Sequence, residues 1–337
     1  MNRNAYFDNA KLLLIFLVVF GHLIQPFTDG IAWVNTLYLW IYTFHMPAFI
    51  FLAGFFARGS GNKKYIWNLT KKLLFPYLVF QLLFTGYFFF IGKDDWATGI
   101  FYPHWSLWFL FSLFSWHLLL NLFKRIPGKY GVPLAMGIGL IIGYIGEIGH
   151  TFSLSRTFVF FPFFLLGYWL TQEHVMFLKR KSVKIASIAI MSFVAAAIHI
   201  APDIPTGWLL ASKSYVVLLD LPEYGIIARA LVYLTAIIMA ASVLAWVPTT
   251  RGRLTDLGTR TLYVYLLHGF FIQYFRKADL FDVGHPVDII GLAVIAATIV
   301  LVLSSKPVLG LWQPLIEAKA SILKNLFGEH NRKTTQQ

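Results

Sequence analysis

The segment KLLLIFLVVFGH, residues 11–22, puts a primary amine and an imidazole at the two ends of one apolar run. Lys11 and His22 are eleven positions apart, which at about 100° per residue is three helical turns plus about 20°. On a helix they share a face and stand roughly 16 Å apart along the axis. Asp8 lies three residues before Lys11, within reach of an ion pair on that same face. Ionisable groups are costly inside an apolar span and mark function by default. An imidazole is suited to take a proton near neutral pH as a general base, or to act as a nucleophile. A cation three turns away suits a long substrate, anionic at one end and reactive at the other. The plainer alternative is a lysine that snorkels to the interface and a histidine bonded to a neighbouring helix.

The elements that must position these groups follow from composition. Of 337 residues, 58% are hydrophobic, 18% aromatic and 13% charged, against about 25% charged in a soluble domain. The apolar residues come in long runs, so the chain is expected to be all-α, a polytopic helical bundle integral to the lipid bilayer. The net charge of +13 would suggest nucleic acid in a soluble protein. Here the position of each cation matters more than the sum, and no nucleic-acid partner is expected. The chain has no cysteine, which excludes disulfides, thiolate metal sites and a cysteine nucleophile. No spacing among histidines and carboxylates makes a metal site. The first apolar run is span-length and lacks a small-residue cleavage pattern, so it is not a removable leader.

Runs of roughly 20 apolar residues give ten expected spans, near 11–29, 36–57, 73–92, 104–123, 130–149, 157–172, 184–201, 226–247, 261–276 and 287–308. Ten spans place both termini on one side. With that side cytoplasmic, only Lys93, Arg156, Lys213, Arg229, Arg276 and Lys277 fall outside, leaving 22 of the 28 cations within, including Arg3, Arg58, Lys324, Arg332 and Lys333. The asymmetry orients the chain with its N- and C-termini in the cytoplasm. It also carries the Lys11–His22 stripe from the cytoplasmic lip toward mid-membrane. The expected organisation is a transmembrane domain over 1–310 and a short amphipathic, basic cytoplasmic tail over 311–337.

Other residues are candidates on position. Lys71 and Lys72 lie at the inner end of the third expected span, where they serve either the charge rule or a phosphate-bearing ligand. Arg156 stands at the outer end of the sixth, against the charge rule, where it serves function or pairs with Glu147 or a lipid phosphate. His45 precedes Pro47, which marks either a cavity wall or a kink. His104 and His268 lie near span ends, and His117 is left unassigned. The outer stretches hold Asp94, Asp95, Trp96 and Trp105, an interfacial pattern that also suits sugar stacking.

The opening YFDNAKLLLIFLVVFGH resembles that of acyltransferase family 3, the membrane O-acyltransferases, whose first helix carries Arg or Lys, ten residues, then His. FHMPAFIFLAGFF (44–56) is similar to the family's second-helix signature, with Ala53 where many members have Ser. KKLLFPYLVF (71–80) resembles its basic stretch before Pro-Tyr, with Lys where the family often carries Arg. LWFLFSLF (107–114), SLSRTFVFFPFFLLGYWL (153–170) and GTRTLYVYLLHGFF (258–271) follow in order. The likeness covers about residues 5–275 and is closest to the branch named for fucose 4-O-acetylase.

The resemblance implies a bacterial plasma-membrane enzyme that moves an acetyl group from acetyl-CoA, as co-substrate, to a hydroxyl of a cell-envelope or exported carbohydrate. On this reading His22 is catalytic. Lys11, Lys71 and Lys72 bind the donor, Arg156 serves acceptor or carbonyl, and Asp8 and His45 line the cavity. No cofactor is held permanently, and glycan assembly machinery is a conceivable partner. The rival readings are a proton-coupled exporter of a glycan or small solute that uses the Lys–His pair, and a non-catalytic membrane partner of a glycan assembly complex. The exporter reading lacks the internal repeat common in transporters.

Overall fold

The computed structural model describes residues 4–57, 61–93, 99–146, 148 and 151–319. Arg3, Arg58, Asp94, Asp95, Trp96, Glu147 and the tail cations Lys324, Arg332 and Lys333 lie outside the described residues. Among those described, the secondary structure is helical and no strand occurs, in agreement with the all-α expectation.

Helix α1 (Ala5–Ile24) begins six residues before the expected span. Asn4 caps it, its side-chain oxygen accepting from the Tyr6 N–H at 3.0 Å. The Tyr6 hydroxyl donates to the Leu244 carbonyl at 3.0 Å, so the polar-looking first turn is buried against protein. The expected second span is a broken pair, α2 (Ala32–Tyr42) and α3 (His45–Phe55). Pro47 has no N–H for the Thr43 carbonyl four residues earlier, and the helix breaks there. The Thr43 hydroxyl turns back to the Trp40 carbonyl at 2.7 Å.

Pro76 acts in the same way on the third span. Helix α4 (Lys63–Leu69) runs through a π-helical turn, Thr70–Leu74, into α5 (Phe75–Phe90). The carbonyl of Lys72 lies four residues before Pro76, so the wider turn falls where an α-helical bond cannot form. The remaining helices are α6 (Trp108–Phe123), α7 (Gly128–Ile141), α8 (Leu154–Trp169), α9 (Gln172–Phe177), α10 (Lys181–Ile200), α11 (Gly207–Leu210), α12 (Tyr215–Leu218), α13 (Gly225–Trp246), α14 (Thr261–Lys277), α15 (Pro286–Leu303) and α16 (Lys306–Glu317).

Among the described residues, seven helical segments are long and apolar enough to cross a membrane: Ala5–Phe27, Ala32–Phe55, Lys63–Phe90, Trp105–Phe123, Lys181–Ile200, Pro222–Trp246 and Pro286–Leu303. The expected spans near 130–149, 157–172 and 261–276 coincide with α7, α8 and α14, of 14, 16 and 17 residues. These are shorter than the roughly 20 residues of a full crossing, and protein rather than lipid surrounds much of α8 and α14.

Small residues set the tightest contacts. A β-carbon on Gly54 would lie 1.9 Å from the Phe164 carbonyl oxygen, and one on Gly167 2.0 Å from that of Phe51. Helices α3 and α8 therefore meet backbone to backbone, the packing that small residues permit between membrane helices. A β-carbon on Gly258 would lie 1.9 Å from the Asp8 carbonyl oxygen. Helix α14 thus starts beside the first turn of α1 and runs along it. Helices α2, α3, α14 and α15 surround α1, while α10 turns most of its surface outward. Helix α16 crosses residue 310 and docks by Trp312, whose ring lies 5.8 Å from Phe80 and 6.4 Å from Phe270.

Candidate active site

His22 sits two residues short of the end of α1. It is therefore near the end opposite Lys11, because α1 stops soon after Gly21. Aromatic rings from three other elements enclose the imidazole. Its Nδ1 lies 3.3 Å from the Tyr42 hydroxyl of α2. The ring centroid of Trp105, just before α6, is 4.4 Å away, and that of His268 on α14 is 5.6 Å away with the planes 24° apart. Behind Tyr42 stand His45 at 4.4 Å and Tyr38 at 4.0 Å between ring centroids.

Two of these histidines have fixed protons. His45 Nδ1 meets the Ile41 carbonyl at 2.9 Å, and His268 Nδ1 meets those of Val264 and Tyr265 at 3.0 and 2.8 Å. A carbonyl only accepts, so both carry hydrogen on Nδ1 and present Nε2 as a lone pair. The Nε2 of His268 is buried without a hydrogen-bond partner.

Arg276, in the last turn of α14, fixes the end of α1. Its Nη2 donates to the His22 carbonyl at 2.6 Å and to Gln25 Oε1 at 2.7 Å. The carbonyls of a last helical turn lack intrahelical partners, and a cation there also meets the negative end of the helix. Left-handed backbone flanks the site as well. Trp105, against the His22 ring, has φ 39°, and Asp279, just past α14, has φ 46°. Such conformations cost of order 1–3 kcal/mol each and gather at functional sites.

Two spaces meet at His22. A cavity of about 280 Å³ opens at the far end of α1, lined among others by Gln25, Phe27, Phe275, Arg276 and Asp279. A slot of about 30 Å³ runs back along α1 past Val18 and Ile15, between Met46, Trp108 and Tyr265. His22 is the residue that lines both.

Lys11 lies beyond the slot, its Nζ 2.7 Å from Asp8 Oδ1 and 5.7 Å from the centre of the Phe56 ring. The structure thus joins Asp8 to Lys11, and His45 to His22 through Tyr42. Lys71 and Lys72 are exposed on the π-helical turn, with Lys71 Nζ 4.9 Å from the centre of the Trp67 ring. Arg156 stands behind the slot, against Trp108 of its wall. Its guanidinium stacks on that indole at 5.0 Å while its Nε donates to the Leu210 carbonyl at 3.1 Å.

Sequence reasoning missed Tyr42, counted Arg276 only as an outer cation and treated Trp105 as interfacial. The signal for Arg276 is the stripe Tyr265, His268, Ile272 and Arg276, spaced by three, four and four along α14. Trp105 has no local signal, because the fold-back that follows α5 places it.

A family model described as an acyltransferase domain matches residues 4–305. Nodulation protein NolL of Sinorhizobium fredii is 26% identical over 325 residues, covering 85% of this chain and 82% of that protein. Nodulation protein NolL of Mesorhizobium japonicum is 24% identical over 327 residues, covering 84% and 79%. No solved structure matches. The chain belongs to the acyltransferase 3 family, as the ordered motifs implied, and the match extends past them through α15.

Proposed function

We propose that this member of the acyltransferase 3 family transfers an acetyl group from acetyl-CoA to a hydroxyl of a cell-envelope or exported carbohydrate, with His22 as general base. The observation that carries the reading is that His22 borders both a narrow slot leading toward Lys11 and a wider cavity at the opposite end. A hydroxyl-bearing acceptor suits the second, while the first, at about 30 Å³, widens to admit a thioester arm.

The chemistry assigns His22 Nδ1–H as donor to the Tyr42 oxygen, which leaves Nε2 bare. An acceptor hydroxyl gives its proton to Nε2 as its oxygen attacks the thioester carbonyl. The carbon–sulfur bond breaks, and the CoA thiolate takes the proton from the imidazolium. Tyr42 and Trp105 hold the ring in place, and Arg276 holds the turn that carries it. Lys11 exchanges its Asp8 partner for a CoA phosphate, with Lys71 and Lys72 on the same side for the remaining charge. Arg156 supports the slot wall formed by Trp108, on whose indole it stacks.

The chain is oriented with both termini in the cytoplasm of a bacterial plasma membrane, so the donor side is the Lys11 side. In this arrangement α7, α8 and α14 complete ten crossings. Release of CoA from acetyl-CoA by the purified protein, dependent on an added hydroxyl compound and lost in His22→Ala, tests the reading. An acetyl-independent transport activity that survives His22→Ala would overturn it.

A further inference from the structure

Besides His22, the slot of about 30 Å³ has a hydroxyl on its wall, that of Ser106. Groups bordering so small a space address the same ligand atoms. Ser106 is 7% exposed, and its Oγ is buried with no hydrogen-bond partner among the described residues. Buried hydroxyls nearly always have one, so this oxygen is a donor in want of an acceptor.

A structural task does not account for it. Ser106 stands two residues before α6, where a serine side chain commonly caps a free N–H. Neither the turn Trp105–Leu107 nor α6 has a side-chain cap. The backbone is fixed instead. The Tyr265 hydroxyl donates to the Ser106 carbonyl, the Leu107 N–H donates to that of His104 at 2.9 Å, and Trp105 is left-handed at φ 39°. Tyr265 lines the slot too, but its proton is spent on that carbonyl. The main chain is therefore held while the Ser106 hydroxyl is free to turn toward a ligand. Helix α6 starts at Trp108, which also borders the slot, so the same wall carries the positive end of a helix. A fixed donor beside a helix N-terminus suits an oxygen on which negative charge develops.

From this geometry we infer that Ser106 is a catalytic residue of the transfer, its Oγ–H donating to the thioester carbonyl oxygen. The inference rests on the acyl-transfer reading above and adds the group that stabilises its tetrahedral intermediate. As the acceptor oxygen bonds to the carbonyl carbon, the carbonyl π electrons move onto oxygen and the hydrogen bond from Ser106 strengthens. The pair returns as the carbon–sulfur bond breaks, and the thiolate takes the proton held by His22. Ser106 keeps its own proton throughout. Met46, unbranched and adaptable, also lines the slot and gives way as the arm enters.

The test uses the full-length protein in detergent with acetyl-CoA and a methyl hexopyranoside. Ser106→Ala is expected to lower kcat by about 10², the usual loss on removing one such donor, with the KM for acetyl-CoA shifted by less than about twofold. Ser106→Cys keeps the size and a weak donor and should recover part of the loss. A kcat within about threefold of the parent, or a loss confined to KM, would overturn the role. So would an acetyl group found on Ser106 by mass spectrometry after incubation with acetyl-CoA alone, which would make it a nucleophile. Infrared difference spectra of acetyl-CoA labelled at the carbonyl carbon read the contact without turnover, on the His22→Ala protein, which leaves the thioester intact. The carbonyl stretch is expected at lower wavenumber there than in the double variant His22→Ala, Ser106→Ala. Such a Ser106-dependent shift, with no CoA release by the parent protein, would retain the contact and reject the acyl-transfer reading. CoA release without the shift would reject the contact alone, and absence of both would overturn both.

Discussion

At the start of α1, Lys11 is paired with Asp8 inside the same helix at 2.7 Å. At its end, His22 is held by other elements: Tyr42 from α2, Trp105 from before α6, and Arg276 from α14 on its own carbonyl. The first arrangement is local and partly exposed, so its cation can change partners when a ligand arrives. The second is fixed by the bundle, so the ring stays where the packing puts it. Neighbouring backbone is tied down at the Lys11 end as well. Asn9 donates to the Pro248 and Thr250 carbonyls at 2.9 Å each, and Lys179 to that of Ala245 at 2.8 Å. The end is therefore anchored, while the Lys11 ammonium itself is exchangeable. On the proposed reading, the first end admits a charged ligand and the second holds a proton acceptor.

The largest break in that contrast is at His22. His22→Ala is expected to lower kcat by about 10²–10⁴, the usual contribution of a general base, at matched membrane levels and with unchanged elution on gel filtration. Arg276 comes next, because it holds the turn that carries the proposed base. Arg276→Gln removes hydrogen bonds of about 1.5–3 kcal/mol from a charged donor and is expected to cut kcat about tenfold or more. Arg276→Lys, which keeps a cation and one donor, should restore part of it, and equal loss in both would point to general misfolding.

At the other end the effect moves from kcat to donor binding. Lys11→Ala is expected to raise the KM for acetyl-CoA roughly tenfold, the worth of one charge-assisted contact, with little change in acceptor dependence. Equal loss toward both substrates would make Lys11 structural. Lys71→Ala and Lys72→Ala are expected to matter least, within about threefold each in donor KM, because exposed flexible cations contribute about 0.2–1 kcal/mol apiece. A larger effect from either would place the CoA phosphates on the π-helical turn rather than at Lys11.

Much of this was legible in the sequence, and the rest was not for definite reasons. The Lys11–His22 face follows from helical spacing, and the helical, membrane-embedded class from the length of the apolar runs. Span boundaries were less readable. Asn4 starts α1 early, and Pro47 and Pro76 reshape helices four residues before themselves, which an apolar run does not reveal. That His22 falls near the end of α1 was not readable either, because the helix stops soon after Gly21 and the apolar run does not mark the stop. Arg276 was visible as the last position of the α14 stripe, but counting charges by side hid it. Tyr42 and Trp105 reach His22 through tertiary packing, and nothing in their own neighbourhoods announces it.

The central claim is that His22 joins a donor route from the Lys11 end to an acceptor cavity at the opposite end. Sidedness of transfer in sealed proteoliposomes tests it most directly, once protease access to the N-terminus has sorted the orientations. With acetyl-CoA on the N-terminal side and a membrane-impermeant methyl hexopyranoside on the other, the account predicts acetylated glycoside in the opposite compartment, and none with His22→Ala. Product formed only when both substrates share the N-terminal side would contradict it.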